Sequence, residues 1–142
     1  MKITCGIFLF DVEENILICR VTNSKNLWSI PKGLVDENET FIDTALRELK
    51  EETSIILNNP QLKFIGDFKY LKSNKMLKAF YLKIDEKIDE NSLHCSSMVN
   101  LKGRIFPEVD KFKWVNLEEA KKLIHQTQVD ALIEFEKLKY QF

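Results

Sequence analysis

The segment from Thr40 to Thr53 constrains the fold more than any other part of the chain, because its side chains follow the spacing of an α-helix. Five positions, three or four residues apart, form one mostly apolar stripe: Ile42, Ala45, Leu46, Leu49 and Thr53. Thr40 precedes the first turn as a candidate N-cap, with Asp43 three residues later as an imperfect capping-box partner. The sequence therefore predicts a helix in the middle of the chain.

Apolar, β-branched segments precede and follow this helix in pairs. Residues 3–10 and 16–21 are separated by a polar turn, and residues 62–71 and 76–84 are joined by a second one. Runs of this length and composition between polar turns are typical of β-hairpins. We therefore expect two hairpins, one before the helix and one after it.

The remaining segments indicate how the sheet is completed. Residues 22–38 predict a loop, because Pro31 disfavours helical dihedrals at the preceding residue. Residues 85–102 are polar and irregular, a long connection for a compact domain. A short strand is expected at 111–115, and helical spacing returns in two stretches between 117 and 138. This order of elements predicts an α/β fold with a mixed sheet and helices packed on its faces.

Length and charge bound the domain organisation and the partners. The chain has 142 residues, 44% of them hydrophobic, and 21 basic side chains against 22 acidic ones give a net charge of −1. A chain of this size buries roughly 68–70% of the surface that its unfolded form exposes, so one core suffices without metal or disulfide staples. We expect a single domain over residues 1–142. Neither duplex nucleic acid nor a membrane is an expected partner, since the sequence has no basic excess and no run of about 20 apolar residues.

The cysteines and histidines do not form a zinc motif. Cys5, Cys19 and Cys95 include no CxxC pair, and His94 and His125 lie outside metal-ligand spacing. We interpret the thiols as reduced, in a cytoplasmic protein. We assign no role to His94 or Cys95, which stand alone in a long polar segment.

Three carboxylates share one face of the central helix. At about 100° per residue, Glu48, Glu51 and Glu52 fall within an arc of about 100°, centred about 120° from the apolar stripe. Like charges at this spacing destabilise a helix by a few tenths of a kcal/mol per pair, unless a cation lies between them. Oxygen ligands of this kind suit Mg²⁺, or Mn²⁺ in its place, together with substrate phosphates. Arg47, four residues before Glu51, is expected to pair with that carboxylate. The alternative is a solvated charged face, the usual role of a Glu- and Lys-rich helix.

The residues around these carboxylates form a longer pattern. In chain order it consists of Gly33, Glu39, Arg47-Glu48-Leu49, Glu51-Glu52 and the aliphatic Ile55. This spacing resembles the Nudix box, in which Ser54 stands at the position of the last glycine. A glycine there would end the helix in a left-handed conformation, which costs a non-glycine residue about 1–2 kcal/mol.

The resemblance implies the Nudix-type fold, an α/β/α sandwich with a central mixed sheet, and hydrolysis of nucleoside diphosphates linked to another group. It implies four metal ligands: the Gly33 carbonyl, Glu48, Glu51 and Glu52. Glu39 and Arg47 would organise the loop and the helix, and we count Arg47 with Glu51 and Glu52 among the catalytic residues. In such a site Mg²⁺ lowers the pKa of a bound water and aligns it for in-line attack on phosphorus. Which glutamate takes the proton is left open.

Two further segments resemble diadenosine polyphosphate hydrolases. They are Trp28-Ser29-Ile30-Pro31-Lys32-Gly33, directly before the box, and residues 106–120. By this likeness Lys32 contacts a substrate phosphate as a point charge, and Glu108 is the candidate catalytic base or extra metal ligand outside the box. For each residue the alternative is a surface side chain without a role.

A nucleotide substrate also needs an aromatic platform for its base. The candidates are Trp28, Phe68, Tyr70, Phe80 and Tyr81, among which the sequence does not choose. We therefore predict a Mg²⁺-dependent pyrophosphohydrolase with a small-molecule nucleotide substrate, in first place a diadenosine polyphosphate. The alternatives are a pyrophosphatase of nucleoside triphosphates, oxidised ones included, and a non-catalytic nucleotide-binding module.

Overall fold

A computed structural model describes residues 1–139. The predicted domain, 1–142, thus includes three residues, 140–142, that lie outside the described range. In chain order the helices and strands are β1 (Lys2–Phe10), β2 (Ile16–Val21), β3 (Trp28–Ser29), β4 (Lys32–Leu34), α1 (Phe41–Thr53), β5 (Lys63–Lys69), β6 (Lys75–Lys83), β7 (Met98–Leu101), β8 (Arg104–Pro107), β9 (Val109–Val115), α2 (Leu117–Leu123) and α3 (Gln126–Lys139). Within residues 1–139, none of the helices combines the length and the apolar character needed to cross a membrane.

The larger sheet is mixed and is organised around β1. The strand order is β3-β2-β1-β6-β5, with β4 paired to β1 and β9 paired to β2. β1 and β6 are parallel, whereas β1 pairs with β2 and β5 pairs with β6 in antiparallel orientation. Both predicted hairpins are therefore confirmed, and the parallel β1–β6 pair makes the sheet mixed, as predicted.

Helices cover both faces of this sheet. Because successive strand residues point to opposite faces, β1 divides its apolar side chains between two cores. Phe8 and Phe10 pack on the side of α3, with Leu132 and Phe135. Ile7 and Leu9 pack on the other side, with Leu49 of α1. The result is an α/β/α sandwich, which confirms the predicted fold class.

Two segments predicted as loops contain short strands. Residues 22–38 include β3 and β4, and residues 85–102 include a 3₁₀ turn at Glu90–Ser92 and strand β7. β7 and β8 form a separate antiparallel hairpin between residues 98 and 107. Strands of two to four residues are too short to show an alternating pattern, so their pairing depends on partner strands that sequence periodicity does not reveal.

Candidate active site

The ends of α1 follow local capping rules. The N–H of Asp43 donates to the Thr40 hydroxyl at 3.1 Å, which confirms Thr40 as the N-cap. At the other end, Ser54 has φ 69° and its N–H donates to the Lys50 carbonyl at 2.8 Å. The serine therefore adopts the left-handed conformation that a glycine would favour at this position.

The buried face of α1 carries more polar groups than the apolar stripe predicts. The stripe is correct at Ala45 and Leu49, which are fully buried, but Ile42 is 41% exposed. Glu48 and Glu52 are buried instead, at 7% and 4% exposure. The helix thus turns its acidic face toward the sheet, and this excludes the alternative of a solvated charged face for these two carboxylates.

Both buried carboxylates lie against strand β4. A Cβ built on Gly33 would lie 2.0 Å from the carboxyl carbon of Glu48, so only glycine leaves room for that side chain. One residue earlier, the N–H of Lys32 donates to Glu52 Oε2 at 3.0 Å. β4 is placed for this contact by its pairing with β1, in which Lys32 lies opposite Gly6 and Gly33 opposite Cys5.

Arg47 links the loop before α1 to the helix. Its Nε donates to Glu39 Oε2 at 2.8 Å, and its Nη2 donates to Glu39 Oε1 at 3.1 Å and to the Leu34 carbonyl at 2.9 Å. Its Nη1 donates to Glu48 at 2.9 Å and to Glu51 at 3.2 Å. The predicted pair with Glu51 is present, but the two-point contact with Glu39 is the stronger one. This contact holds the loop 34–40 against the helix.

The pKa values of the carboxyls depend on whether each is buried or is bound by Arg47. Hydrogen bonds from Arg47 and then from the Thr44 hydroxyl hold the pKa of the Glu39 carboxyl at about 2. Burial raises the pKa of Glu48, although the Arg47 cation opposes the shift. Burial also raises the pKa of Glu52 well above its ordinary value; Lys32 lowers it and the charge of Glu108 adds to the rise. Two carboxyls that resist ionisation therefore adjoin each other at the sheet.

Glu108 comes to this site from the far end of the chain. It is half-buried between β8 and β9, and its charge acts on Glu52. The Ser97 hydroxyl donates to Glu108 Oε2 at 3.0 Å. Ser97 has no local pattern that distinguishes it from other loop serines, so sequence reasoning did not single it out.

The oxygen chemistry of the acidic side chains is the kind that a hard divalent cation prefers. Carboxylate oxygens of Glu48, Glu51 and Glu52 face one side of α1, and the space at Gly33 brings a carboxylate against the backbone. Glu51 lies furthest out, with 38% of its side chain exposed. Within residues 1–139, no three His, Cys, Asp or Glu side chains already form a group that could hold a metal ion. In the structure it is Arg47 that bridges Glu48 and Glu51.

An aromatic pocket adjoins the acidic site through Lys32. The pocket has a volume of about 310 Å³, and among its lining residues are Trp28, Lys32, Tyr70 and His125. The Tyr70 and His125 rings are 5.1 Å apart, and the Tyr70 hydroxyl is buried without a hydrogen-bond partner. Of the five aromatic candidates, Trp28 and Tyr70 therefore line this pocket. Phe68 and Tyr81 pack against the core on the α3 side, as Trp28 and Tyr70 also do, and Phe80 is buried in the core with Cys5 and Ala45.

Comparison with known proteins identifies the family. The NUDIX domain matches residues 2–135. An uncharacterized 17.7 kDa protein of Enterobacteria phage T4 is 33% identical over 78% of this chain and 79% of its own length. RNA pyrophosphohydrolase of Pelagibacter ubique is 29% identical over 84% and 78%, and bis(5'-nucleosyl)-tetraphosphatase of Mus musculus is 29% identical over 92% and 89%.

A solved structure extends the likeness to the fold. The crystal structure of a C. elegans Ap4A hydrolase binary complex aligns with a TM-score of 0.75 and 21% identity, covering 98% of this chain and 99% of that one. The chain belongs to the Nudix family. It is a hydrolase of phosphorus-containing acid anhydrides, and enzymes of this family generally use divalent metal ions.

Proposed function

We propose that the protein is a Mg²⁺-dependent pyrophosphohydrolase that cleaves a phosphoanhydride bond in a dinucleoside polyphosphate, with diadenosine polyphosphates as the first candidates. One observation carries the proposal: Lys32 joins the two halves of the site. Its N–H donates to Glu52, and the same residue lines the aromatic pocket with Trp28 and Tyr70. A phosphate chain beside Lys32 would therefore meet the carboxylates at one end and a base pocket at the other.

The pocket supports one bound nucleoside. Its volume of about 310 Å³ is at the small end of the range for ligand sites. Trp28, Tyr70 and His125 would supply aromatic rings beside a base. The second nucleoside of a dinucleotide would then remain outside this pocket, on the leaving side of the cleaved bond.

The residues of α1 and β4 would hold the metal ion. Glu48, Glu51, Glu52 and the Gly33 carbonyl are the proposed ligands, with Mn²⁺ as a substitute for Mg²⁺. When bound, such an ion lowers the pKa of a water and neutralises phosphate oxygens. Since Arg47 bridges Glu48 and Glu51, it sets the rotamers of these two carboxylates before the ion binds.

The reaction would then depend on charge placement and one proton transfer. The Lys32 ammonium binds a phosphate oxygen of the substrate as a point charge. Water attacks phosphorus, the bond to the bridging oxygen breaks, and a carboxylate takes the proton of the water. Glu108 is the proposed base or extra ligand, because its charge acts on Glu52 although it does not belong to the helix. Glu39 and Arg47 keep the loop and the helix together.

A substrate panel tests this proposal. Diadenosine tetraphosphate, ordinary and oxidised nucleoside triphosphates, and a 5'-triphosphorylated RNA would be incubated with enzyme and Mg²⁺, and the products identified by mass. We expect the highest kcat/KM for the dinucleotide. A higher kcat/KM for triphosphates would instead support the alternative, a pyrophosphatase of nucleoside triphosphates. Binding without turnover at high enzyme concentration would favour the non-catalytic nucleotide-binding module.

The pocket has its own test. Tyr70→Ala should raise KM for the dinucleotide at least about tenfold with a smaller effect on kcat, because it removes contacts to the base rather than to the reacting phosphate. Leu71→Ala is the matched control, since Leu71 is adjacent and 85% exposed. An unchanged KM in Tyr70→Ala would remove this pocket from the proposal.

A further inference from the structure

The main chain of Glu108 is fixed on both sides. Its N–H donates to the Ser97 carbonyl at 2.9 Å, and its carbonyl accepts from the N–H of Thr22 at 3.1 Å. These contacts fix where the side chain starts, but they leave its rotamer free. The Ser97 hydroxyl, which donates to Glu108 Oε2 at 3.0 Å, is the contact that selects one direction.

The segment 94–97, here called the tether, is bound in turn to the end of α1. The N–H groups of Ser96 and Ser97 donate to the Glu51 carbonyl at 2.7 and 3.3 Å, and the N–H of His94 donates to the Thr53 carbonyl at 3.3 Å. The last carbonyls of a helix lack partners within the helix, so the tether satisfies groups that would otherwise need water. One short segment thus connects the acidic helix to Glu108.

The hydroxyl contact opposes rotation of the Glu108 side chain away from the tether. A hydrogen bond from a hydroxyl to a carboxylate restrains that rotation, since hydrogen bonds to charged groups are among the stronger ones in proteins. Because the tether is bound to the Glu51 carbonyl, the same hydrogen bond keeps the half-buried Glu108 side chain beside the end of α1.

We infer that Ser97 is a positioning residue of the active site: its hydroxyl holds the Glu108 carboxylate beside the acidic helix α1, while its main chain fixes the tether to that helix. The inference rests on the proposed function, in which Glu108 is the base or an extra metal ligand. Ser97 itself contacts neither substrate nor metal in this scheme. Its effect on the reaction passes entirely through Glu108.

Substitution of the hydroxyl alone tests the inference. Ser97→Ala keeps the N–H and carbonyl contacts of the tether, so the fold should persist. We expect kcat to fall about tenfold to a hundredfold, with KM changed by less than about twofold. Ser97→Thr, which retains the hydroxyl, should restore most of kcat. Ser92→Ala is the control, because its hydroxyl binds the Asp89 carbonyl in an exposed turn; it should match the wild type.

A double variant separates positioning from a general structural effect. In the Glu108→Gln background, Ser97→Ala should cause no further loss of kcat, because the residue it acts through is already altered. Wild-type kcat in Ser97→Ala, or additive losses in the double variant, would overturn the inference. An inactive wild type on every substrate would refute the proposed function instead. The Glu108 rotamer in crystals of Ser97→Ala then decides independently: an unchanged rotamer overturns the inference, and a rotamer turned into solvent supports it.

Discussion

The helices α1 and α3 cover opposite faces of the same sheet, yet they bury different chemistry. α1 has 13 residues and α3 has 14, and each turns one face inward. α1 buries the carboxylates of Glu48 and Glu52 together with Ala45 and Leu49. α3 buries an apolar face and one amide, Gln128, whose two polar atoms bind the Ile30 N–H and the Ser29 hydroxyl. One helix therefore supplies the chemistry, and the other supplies most of the hydrophobic packing.

The difference shows where this fold loses stability for the sake of function. Buried carboxylates lose hydration, which is why burial raises the pKa of both Glu48 and Glu52. Replacing such groups with neutral ones is often neutral or stabilising, whereas truncating an apolar core residue leaves a cavity. Matched substitutions on the two helices should therefore separate activity from stability.

The largest expected effect is on turnover, from Glu52→Gln in α1. Removing one proposed metal ligand should lower kcat by about 10³-fold or more. Without added metal, the melting temperature should be equal to or above that of the wild type, because a neutral amide replaces a carboxyl whose charged form folding disfavours. Glu134→Gln on α3 is the matched control and should leave kcat unchanged. Wild-type kcat in Glu52→Gln would contradict the ligand assignment.

A loss of stability without a loss of turnover should come from Leu132→Ala in α3. Leu132 is fully buried, so truncation should reduce the free energy of unfolding by about 2–5 kcal/mol. At a temperature where the variant remains folded, kcat should change little, because no atom of the acidic site is altered. Ile133→Ala is the control on the same helix, since Ile133 is 41% exposed. Urea denaturation and steady-state kinetics on both variants check the prediction.

The sequence predicted the parts of α1 that depend on local rules. The Thr40 cap and the pair between Arg47 and Glu51 both follow from spacing along one helix, whereas the conformation of Ser54 was left open. The sequence predicted less well which face of the helix is buried against the sheet. Ile42 is exposed and Glu48 is buried because the sheet edge at Gly33 leaves space for a carboxylate. That space is a property of two elements packed together, and hydrophobic periodicity contains no information about it.

The rest of the site required the tertiary structure. Trp28, Tyr70 and His125 come from three distant segments, and none of them carries a pattern that marks a pocket. The sequence predicted the tether only as part of a long connection. Its hydrogen bonds go to carbonyls of another element, α1, and the sequence pattern does not indicate them. The resemblance named Glu39 and Arg47 as organising residues, while helix geometry alone paired Arg47 only with Glu51. Contacts within one element could thus be predicted from spacing, and contacts between elements could not.

The bridge between Glu39 and Arg47 should make stability depend on pH. The pKa of Glu39 is held at about 2 in the folded protein, below the ordinary value of 4.5. A lowered folded-state pKa stabilises the protein above the ordinary pKa, and this contribution is lost as the pH falls from 4.5 toward 2. Glu39→Gln should therefore have a melting temperature a few degrees lower at pH 7. The difference from the wild type should shrink below pH 4.5 and be lost near pH 2. A constant difference across this range would argue against the bridge as its source.

The smallest expected effect lies at the end of α1, where Ser54 adopts the left-handed conformation. Ser54→Gly should raise the free energy of unfolding by about 0.5–1 kcal/mol, because relief of the strained φ of 69° exceeds the extra freedom that glycine gains in the unfolded chain. Ser92→Gly is the matched control, since Ser92 lies in a 3₁₀ turn without positive φ, and glycine there brings the entropic penalty and the loss of the hydroxyl contact with the Asp89 carbonyl without any relief of strain. We expect the melting temperature to rise for Ser54→Gly and to fall or stay equal for Ser92→Gly. A decrease in both would mean that the helix end is held by the serine side chain rather than strained by its backbone.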